Sequence, residues 1–270
     1  MSEAVPETGS SPLVAMLFAA ARRLGSSVLP FVVVILCWQF ASLFFPRFLF
    51  PSLIDVFWRC LEIFSSGAMF ADVVATILRI LAGLAGAFIV GGLLALLMVR
   101  SRAVDNFLSP ILTLFQGIPA LSWVVFAIIW FHGVEFRIFI IMVMTTLPAF
   151  TSQVLGALRA MSRDLMEMVF SFRPTRIKLF RVMIAPAILP DILTAWKVNL
   201  GNASRVVVVA ELVGAIGGVG YQLLQQQLFD MAGALAWTLQ LVFFVLIVQG
   251  ALTLIENTVF RYRAVSERAI

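Results

Sequence analysis

Two basic side chains, Lys197 and Arg205, stand inside a long apolar segment and are the residues of this sequence best suited to chemistry. Ionisable residues in such segments are costly to bury and suggest a function. Their spacing puts both on one helix face, but Lys197 lies near the end of the segment, where its ammonium group can reach water. We hypothesise that Arg205, with Asn199 and Asn202, lines a polar pathway that favours an anionic solute. The alternative is a structural ion pair between Arg205 and an acid, such as Glu211 of a second copy. Glu211 is therefore also a candidate residue of the pathway region.

Catalysis and metal binding find little support in the sequence. The single histidine, His132, cannot support a histidine-based metal site, and Cys37 and Cys60 lack the spacing of metal ligands. Neither lysine, Lys178 or Lys197, stands in the Gly-x-x-x-x-Gly-Lys-Ser/Thr motif, in which backbone N–H groups and a lysine hold phosphates. We therefore expect no catalytic residue, no metal site and no cofactor in this chain. ATP hydrolysis, where it is used, must take place in a partner.

Composition places the chain in a membrane. Hydrophobic residues make up 62% of its 270 residues and charged residues 12%, whereas soluble domains are about half apolar and about one quarter charged. The net charge of +5 could indicate nucleic-acid binding. However, seventeen of the 19 basic residues are arginines, and the basic residues cluster beside apolar runs, as membrane topology requires. The lipid bilayer is therefore the expected partner, and nucleic acid is not.

Six apolar segments are long enough to cross a bilayer, which takes about 20 residues. They cover residues 28–45, 76–99, 107–131, 136–155, 190–214 and 235–259. The third segment is interrupted at Gly117-Ile118-Pro119, and carbonyl groups freed by such a break must face protein or a wet cavity and not lipid. Gly117 and Pro119 are therefore candidates for a kink or a gate beside a pathway.

Basic residues at the ends of these segments set the orientation. With a cytoplasmic N-terminus, thirteen basic residues lie inside and three outside, and cytoplasmic loops carry such an excess. The inside set is Arg22, Arg23, Arg100, Arg102, Arg159, Arg163, Arg173, Arg176, Lys178, Arg181, Arg261, Arg263 and Arg268, and the outside set is Arg47, Arg59 and Arg137. We expect both termini inside: residues 1–24 as a tail with an interfacial helix, 25–260 as the membrane domain with an inner loop at 156–189, and 261–270 as a second tail.

The inner loop has the pattern of two short helices. Residues 164–172 are amphipathic, with apolar side chains at helical spacing. Proline suits the first turn of a helix and pushes the residue before it out of the helical region, so we expect a break at Arg173-Pro174 and a second helix to about residue 185. Two such helices would form a docking surface on the cytoplasmic face.

Small residues recur every four positions in the second apolar segment, at Gly83, Ala87 and Gly91, and therefore share one helix face. Small residues let another helix approach closely. That helix belongs either to the same chain or to a second copy.

The inner loop also resembles the signature of binding-protein-dependent ABC transporter permeases. The signature reads Glu-Ala-Ala, three residues, Gly, nine residues, then Ile-x-Leu-Pro. Glu167 takes the acidic position and Pro186 the final proline. Arg173 stands where the family has glycine, which allows a positive φ that arginine resists, and the alanine pair and the Ile and Leu positions also differ.

Further motifs extend this resemblance over about residues 70–260. Thr76-Ile77-Leu78-Arg79 is similar to the family's Thr-Leu-x-Arg at the start of the second segment. The other similar motifs are Gly117-Ile118-Pro119, Trp130-Phe131-x-Gly133, Pro186-Ala187-Ile188-Leu189-Pro190, Ala210-Glu211-Leu212 and Gly217-Gly218-Val219-Gly220-Tyr221. The subgroup with the most similar pattern imports nitrate, sulfonates, taurine and comparable small organic or anionic solutes.

The resemblance implies an all-α permease subunit with six transmembrane helices and the type I importer fold, in a bacterial plasma membrane. It implies that the subunit works as a pair, most simply a homodimer. Two cytoplasmic ATPase subunits, which bind ATP and Mg²⁺, and an extracytoplasmic solute-binding protein would complete the importer. Closure of the ATPases would move the coupling helices of the inner loop and switch the pathway. The residues implied to dock the ATPase are Glu167, Phe172, Arg173, Pro174 and Pro186.

A secondary transporter driven by an ion gradient is the alternative function, since broken helices and charged residues near the midplane also occur in that class. No repeat between the two halves of the sequence supports it. A membrane-embedded enzyme would need clustered His, Asp or Glu, or a Ser/His pair, within the spans. No motif of a channel pore is visible in the sequence.

Overall fold

The computed structural model describes residues 29–161, 167–169, 171–172 and 175–259, and the regular structure in these residues is helical. The helices are α1 Leu29–Ala41, α2 Leu53–Ser65, α3 Gly67–Arg100, α4 Arg102–Gly117, α5 Ala120–Trp130, α6 Val134–Arg159, α7 Ala185–Gly214, α8 Val219–Gln226 and α9 Met231–Val259. The all-α fold class is therefore confirmed. The predicted tails at 1–24 and 261–270 lie outside the described residues.

Four helices are long and apolar enough to cross a membrane: α3, α6, α9 and the continuous helix Ile177–Gly214, which includes α7. The pair α4 and α5 passes the same test but bends by 98°. The described residues thus contain four or five candidate spans where six were predicted. The first segment is not among these candidates, because its described helical part, α1 at Leu29–Ala41, is shorter than the about 20 residues that a span needs.

Helix α2 was not predicted from the sequence, and neither was the short α8. The Ser52 hydroxyl accepts a hydrogen bond from the N–H of Asp55, whose carboxylate accepts one from the N–H of Ser52. This capping box satisfies N–H groups that a helix start leaves without partners. Val56, Cys60 and Ile63 form the buried face of α2, which packs on α9. Because α3 follows directly, it begins at Gly67 and not near residue 76.

The third apolar segment forms two helices joined by a sharp bend. α4 ends at Gly117, Ile118 has an extended backbone with φ −78° and ψ 122°, and α5 follows Pro119. Proline has no N–H to continue a helix and pushes the residue before it out of the helical region. The predicted interruption of the segment at 107–131 is therefore confirmed, and the two helices meet there at a bend of 98°.

The second helix of the inner loop does not end near residue 185. A helical turn at Arg176–Leu179 and a π-helical segment at Phe180–Ile184 lead directly into α7, which continues to Gly214. Pro186 and Pro190 both lie inside this helix. Local π-helical geometry and neighbouring helices compensate for the hydrogen bonds that prolines remove from membrane helices, so these prolines do not stop the helix.

α3 and α6 pack closely against each other. A Cβ atom added to Gly83 would lie 2.4 Å from Met142 Cβ, and one added to Gly91 would lie 3.0 Å from Thr151 Oγ1. The small residues of α3 therefore accommodate a helix of the same chain, which is the first of the two alternatives that the sequence left open. Phe150, completely buried on α6, lies in the same core.

Polar contacts define the directions of the helices. α6 begins beside Arg79 of α3, which bonds with Glu135, and the two helices run parallel, since Gly83 meets Met142 and Gly91 meets Thr151 further along. α7 runs the opposite way, since Glu211 near its end also bonds with Arg79. α9 runs opposite to α7, since Lys197 bonds with Glu256 near the end of α9. These directions are those that alternating crossings require.

The two ends of the helix bundle differ in the number of basic residues that the sequence places there, and the end with the excess is called the inner end. The inner end is the one where α3 and α6 finish, at Arg100 and Arg159. The outer end is the one where α3 and α6 begin and where α7 finishes.

Candidate functional site

A polar cluster at the outer end ties α3, α7 and the turn before α8 together. Asp72, Thr76 and Arg79 share one face of α3, because they stand four and three positions apart. Glu211, near the end of α7, contacts Thr76 and Arg79. We call these four residues, together with the turn at 217–220, the outer clamp.

Glu211 is the centre of the outer clamp and is completely buried. Its carboxylate accepts hydrogen bonds from Thr76 Oγ1 (2.8 Å), Arg79 Nη1 (2.7 Å) and the backbone N–H of Gly220 (2.8 Å). A buried carboxylate is costly unless it is paired and hydrogen-bonded, and these contacts meet both conditions. Glu211 is therefore satisfied within its own chain, and the structure does not bring it to Arg205.

The α3 residues of the outer clamp also bind the backbone of the glycine turn. Asp72 and Thr76 accept hydrogen bonds from the N–H groups of Gly218 and Val219, at 2.8 and 2.9 Å. Arg79 donates to the carbonyl of the first turn residue at 2.9 Å. The other carboxylate oxygen of Asp72 accepts a hydrogen bond from Nε2 of Gln222 on α8, at 2.6 Å. The clamp thus sets where α8 begins.

Glycine is required at two places in this turn. Gly218 has φ +110°, and a Cβ atom on it would lie 2.6 Å from Glu211 Oε1. A Cβ atom on Gly220 would lie 2.5 Å from the carbonyl oxygen of Val208. Glycine supplies the positive φ of Gly218 and the space that both positions need. The glycine-rich motif of the sequence is thus explained by its close approach to Glu211 and α7.

Contacts with α6 extend the outer clamp. Arg79 pairs with Glu135, whose side chain is 70% exposed, as well as with the buried Glu211. Arg137 Nη2 donates to the carbonyl of Gly214 at the end of α7 (2.7 Å). Sequence reasoning named Arg79 only as part of a motif and missed Asp72 and Glu135. The available signal was the spacing of Asp72, Thr76 and Arg79 on one helix face.

Arg205 lies in a groove of about 450 Å³ between α7 and α9. Apart from Arg205, the polar side chains that line this α7–α9 groove are Ser204 and Thr238. Arg205 is exposed, and within the described residues no hydrogen bond or ion pair holds its guanidinium group. A cation facing lipid near the middle of a span is costly. The groove therefore needs a wet or polar neighbour.

The other polar residues of α7 have different surroundings. Lys197 pairs with Glu256 of α9 at 2.6 Å. Asn199 is buried between helices and donates to Gln153 Oε1 of α6 at 2.7 Å. Asn202 is half-buried. The structure therefore places Asn199 in the α6–α7 contact and does not bring it together with Arg205.

The inner connection between α6 and α7 carries the residues implied to dock an ATPase. Glu167 is exposed, and Phe172 is 78% exposed. Pro186 is half-buried at the start of α7, whereas Arg173 and Pro174 lie outside the described residues. Large apolar side chains are exposed along this connection, and we call the following set the inner apolar patch: Met168, Phe172, Ile177, Phe180 and Val182.

The broken segment brings Gly117 and Pro119 to an exposed position between α4 and α5. The neighbouring Gln116, which sequence reasoning missed, donates from Nε2 to Ser152 Oγ of α6 at 3.3 Å. Within the described residues no three His, Cys, Asp or Glu side chains are placed to hold a metal ion together.

Comparison with known proteins shows which family this chain is similar to. Residues 87–261 match the family described as the binding-protein-dependent transport system inner membrane component. This match spans well over half of the chain. It includes the α7–α9 groove, the inner apolar patch and Glu211.

Two characterised relatives align with most of the membrane domain. The chain is 26% identical over 193 residues to the formylaminopyrimidine transport permease protein ThiX of Halalkalibacterium halodurans, covering 71% of this chain and 76% of ThiX. It is 27% identical over 159 residues to the taurine transport system permease protein TauC of Escherichia coli, covering 58% of each chain.

A solved structure of the MetNI methionine ABC transporter, in an inward-facing conformation, is similar in fold. The TM-score is 0.54 at 17% sequence identity, covering 73% of this chain and 98% of the matched chain. Similarity at this identity supports the helical architecture alone. With the family match and the two relatives, it leads to one conclusion: this chain belongs to the binding-protein-dependent transport system inner membrane components, the permease subunits of ABC importers.

Proposed function

We propose that this permease works as a homodimer in a bacterial plasma membrane, with two cytoplasmic ATPase subunits and an extracytoplasmic binding protein. ATP bound with Mg²⁺ and hydrolysed in the ATPase subunits would drive import of a small organic solute. The observation that carries this proposal is the inner apolar patch, which offers a contact surface at the inner connection of a chain that belongs to the importer family.

The inner apolar patch has the properties of a protein contact. Five large apolar side chains are each more than half exposed within a short stretch of chain, and contiguous apolar patches on a protein surface mark interaction sites. Phe172, at 78% exposed, is the side chain best placed to enter a pocket of a partner. Exposed Glu167 and Lys178 add charges at the rim. Interfaces combine an apolar centre with such a polar rim.

The solute is proposed to be small, organic and polar. The two relatives carry formylaminopyrimidine and taurine in their names, and taurine bears a sulfonate group. Arg205 has no bonded partner among the described residues and lies in the α7–α9 groove. This supports a preference for an anionic group, because guanidinium binds sulfonate and carboxylate oxygens through two parallel N–H donors.

The α7–α9 groove also supports the dimer. Arg205 would be costly in lipid, and the groove around it is open in the single chain. A second copy that covers this face would enclose Arg205 beside a wet pathway. The groove therefore belongs to the surface that faces the partner permease.

Co-purification tests the proposal. The chain is co-expressed with candidate ATPase subunits of the same organism, extracted in mild detergent, and analysed for composition and ratio. We expect a complex of two permease and two ATPase subunits. Phe172→Ala should weaken ATPase binding by about tenfold or more, the scale of an aromatic anchor.

Phe229→Ala is the matched control. Phe229 is 87% exposed, but it lies at the outer end, so its removal should leave ATPase binding unchanged. A chain that purifies alone and moves solute down an ion gradient in liposomes would replace this proposal with the secondary transporter. Equal ATPase binding by all three proteins would refute the role of the inner apolar patch.

A further inference from the structure

α4 has two opposite faces of contrasting chemistry. Phe107, Ile111 and Leu114 form an exposed apolar stripe. Ser109, Thr113 and Gln116 form a polar stripe with the same spacing, shifted by two positions, which places it on the opposite side of the helix. Leu112 is the one buried residue of α4 and belongs to neither stripe, so neither stripe is used for the core.

The polar stripe of α4 faces a matching stripe on α6. Gln116 Nε2 donates to Ser152 Oγ, and Arg159 pairs with Asp105 near the start of α4. Gly156 stands between Ser152 and Arg159 on α6 and leaves space there. The two stripes, together with Met98, Leu112 and Leu155, line a cleft of about 270 Å³, just below the usual range for small-molecule sites. We call it the α4–α6 cleft.

The hydroxyl groups of the cleft already use their protons. Thr113 Oγ1 donates to the carbonyl of Ser109 (3.0 Å), and Ser152 Oγ donates to the carbonyl of Pro148 (2.9 Å). The lone pairs of both hydroxyl oxygens can accept further hydrogen bonds. The cleft therefore presents acceptors to any molecule inside it.

Gln116 lies beside the cleft, bonded to its lining residue Ser152, and needs water or solute as a further partner. Its side chain is exposed, and its single hydrogen bond within the described residues is the one to Ser152. An amide has two donors and two acceptor positions, so most of its hydrogen-bonding capacity is free. Gln116 lies about 20 Å along α4 from Arg102, at 1.5 Å per residue, and next to the break at Gly117. Lipid cannot satisfy an amide at that depth.

We infer that the α4–α6 cleft is the inner section of the solute pathway, leading from the break at Gly117 to the inner end of the chain. This inference rests on the proposed function. The section takes solutes that donate hydrogen bonds through O–H or N–H groups, because the hydroxyl oxygens of Thr113 and Ser152 accept. Asp105 neutralises Arg159 at the mouth of the cleft, so the lining does not retain an anion as it leaves.

Thiol labelling tests this inference. The native cysteines are replaced by Cys37→Ala and Cys60→Ala, and single cysteines are introduced by Thr113→Cys or Leu114→Cys. The assembled complex in inside-out vesicles is treated with a membrane-impermeant, charged methanethiosulfonate. These adjacent positions are both exposed in the single chain but belong to opposite stripes. Thr113→Cys should react at least about tenfold faster, because thiolate forms in water and not against lipid or protein.

A nucleotide-trapped complex provides the second measurement. Trapping the ATPase with ATP and vanadate should slow labelling of Thr113→Cys, because a pathway section closes when the transporter changes state. Labelling of Ala103→Cys, exposed at the start of α4, should not change. Equal labelling rates of the cysteines at positions 113 and 114 would overturn the inference. A labelling rate at position 113 that is the same with and without ATP and vanadate would also overturn it. Failure of ATPase assembly in the wild type would instead overturn the proposed function.

Discussion

Arg79 on α3 donates a hydrogen bond to Glu211 on α7, with 2.7 Å between Nη1 and Oε1, although 132 positions of sequence separate the two residues. The Glu211 side chain is completely buried and that of Arg79 is 11% exposed. Because the same guanidinium group also binds Glu135 and the glycine turn, this pair joins α3, α6, α7 and the start of α8. The outer ends of four helices thus depend on one arginine.

Arg79→Gln should lower the free energy of unfolding by about 3 kcal/mol, because it leaves the Glu211 carboxylate buried without a cation. Denaturant titration in mixed micelles measures this change. Arg59→Gln is the control, since the Arg59 ion pairs are half-exposed and such pairs contribute under about 1 kcal/mol. The double change Arg79→Gln with Glu211→Gln should recover part of the loss. Equal losses for the Arg79 and Arg59 variants would contradict a structural role of the outer clamp.

Gly218→Ala should destabilise the protein by about 2 kcal/mol or more, because alanine resists a positive φ and its Cβ would meet the Glu211 carboxylate. Gly92→Ala, where a Cβ atom would meet nothing within 4 Å, should be neutral or slightly stabilising. Thermal unfolding of both variants in the same detergent makes the comparison. A Gly218→Ala protein as stable as Gly92→Ala would show that the turn tolerates a different backbone conformation.

Gly83→Ala should cost about 1 to 3 kcal/mol, the usual cost of overpacking a tight contact. The new Cβ atom would lie 2.4 Å from Met142 Cβ, which belongs to the rigid base of that side chain, so α3 and α6 would have to separate. Gly250→Ala on α9 has free space and serves as the control. The measurement is again unfolding in detergent. The idea fails if the two alanine variants have the same stability.

Arg205→Gln should reduce ATP-driven uptake by about tenfold or more, as expected for the loss of one charge-assisted hydrogen bond to the solute. Taurine is the first probe. The stability of this variant should match that of the wild type, because within the described residues Arg205 has no bonded partner to lose. Lys197→Gln should behave in the opposite way, with lower stability through the loss of its pair with Glu256 and retained uptake. Undiminished uptake by Arg205→Gln would remove Arg205 from the pathway.

Several features were predictable from local sequence alone. The apolar segments, the excess of arginines beside them and the break at Gly117-Ile118-Pro119 each depend on a few neighbouring residues, through hydropathy or the backbone restrictions of proline. The motifs that carry the family resemblance are local too, and the match over residues 87–261 confirms the family. The prediction that small residues of α3 accept a close helix also followed from spacing, but the choice of α6 as that helix did not.

Side-chain partners were not predictable in this way. Asn199 and Glu211 were candidates for the pathway because polar residues in apolar segments suggest function, yet both are buried and hydrogen-bonded inside the fold. The prolines at 186 and 190 suggested a helix boundary, but α7 passes through both. In each case neighbouring elements supplied the contacts that the local pattern seemed to lack.

The sequence by itself determined that this chain belongs in a bilayer, how its charges divide between the two ends, and which family it resembles. These properties are sums over local composition, so they do not depend on how the helices meet. Tertiary structure alone decided which charges are paired, as in Arg79 with Glu211, and which stay open, as at Arg205. Pairing and burial depend on atoms brought together from distant parts of the chain, and a buried charge without such a partner would be too costly to keep.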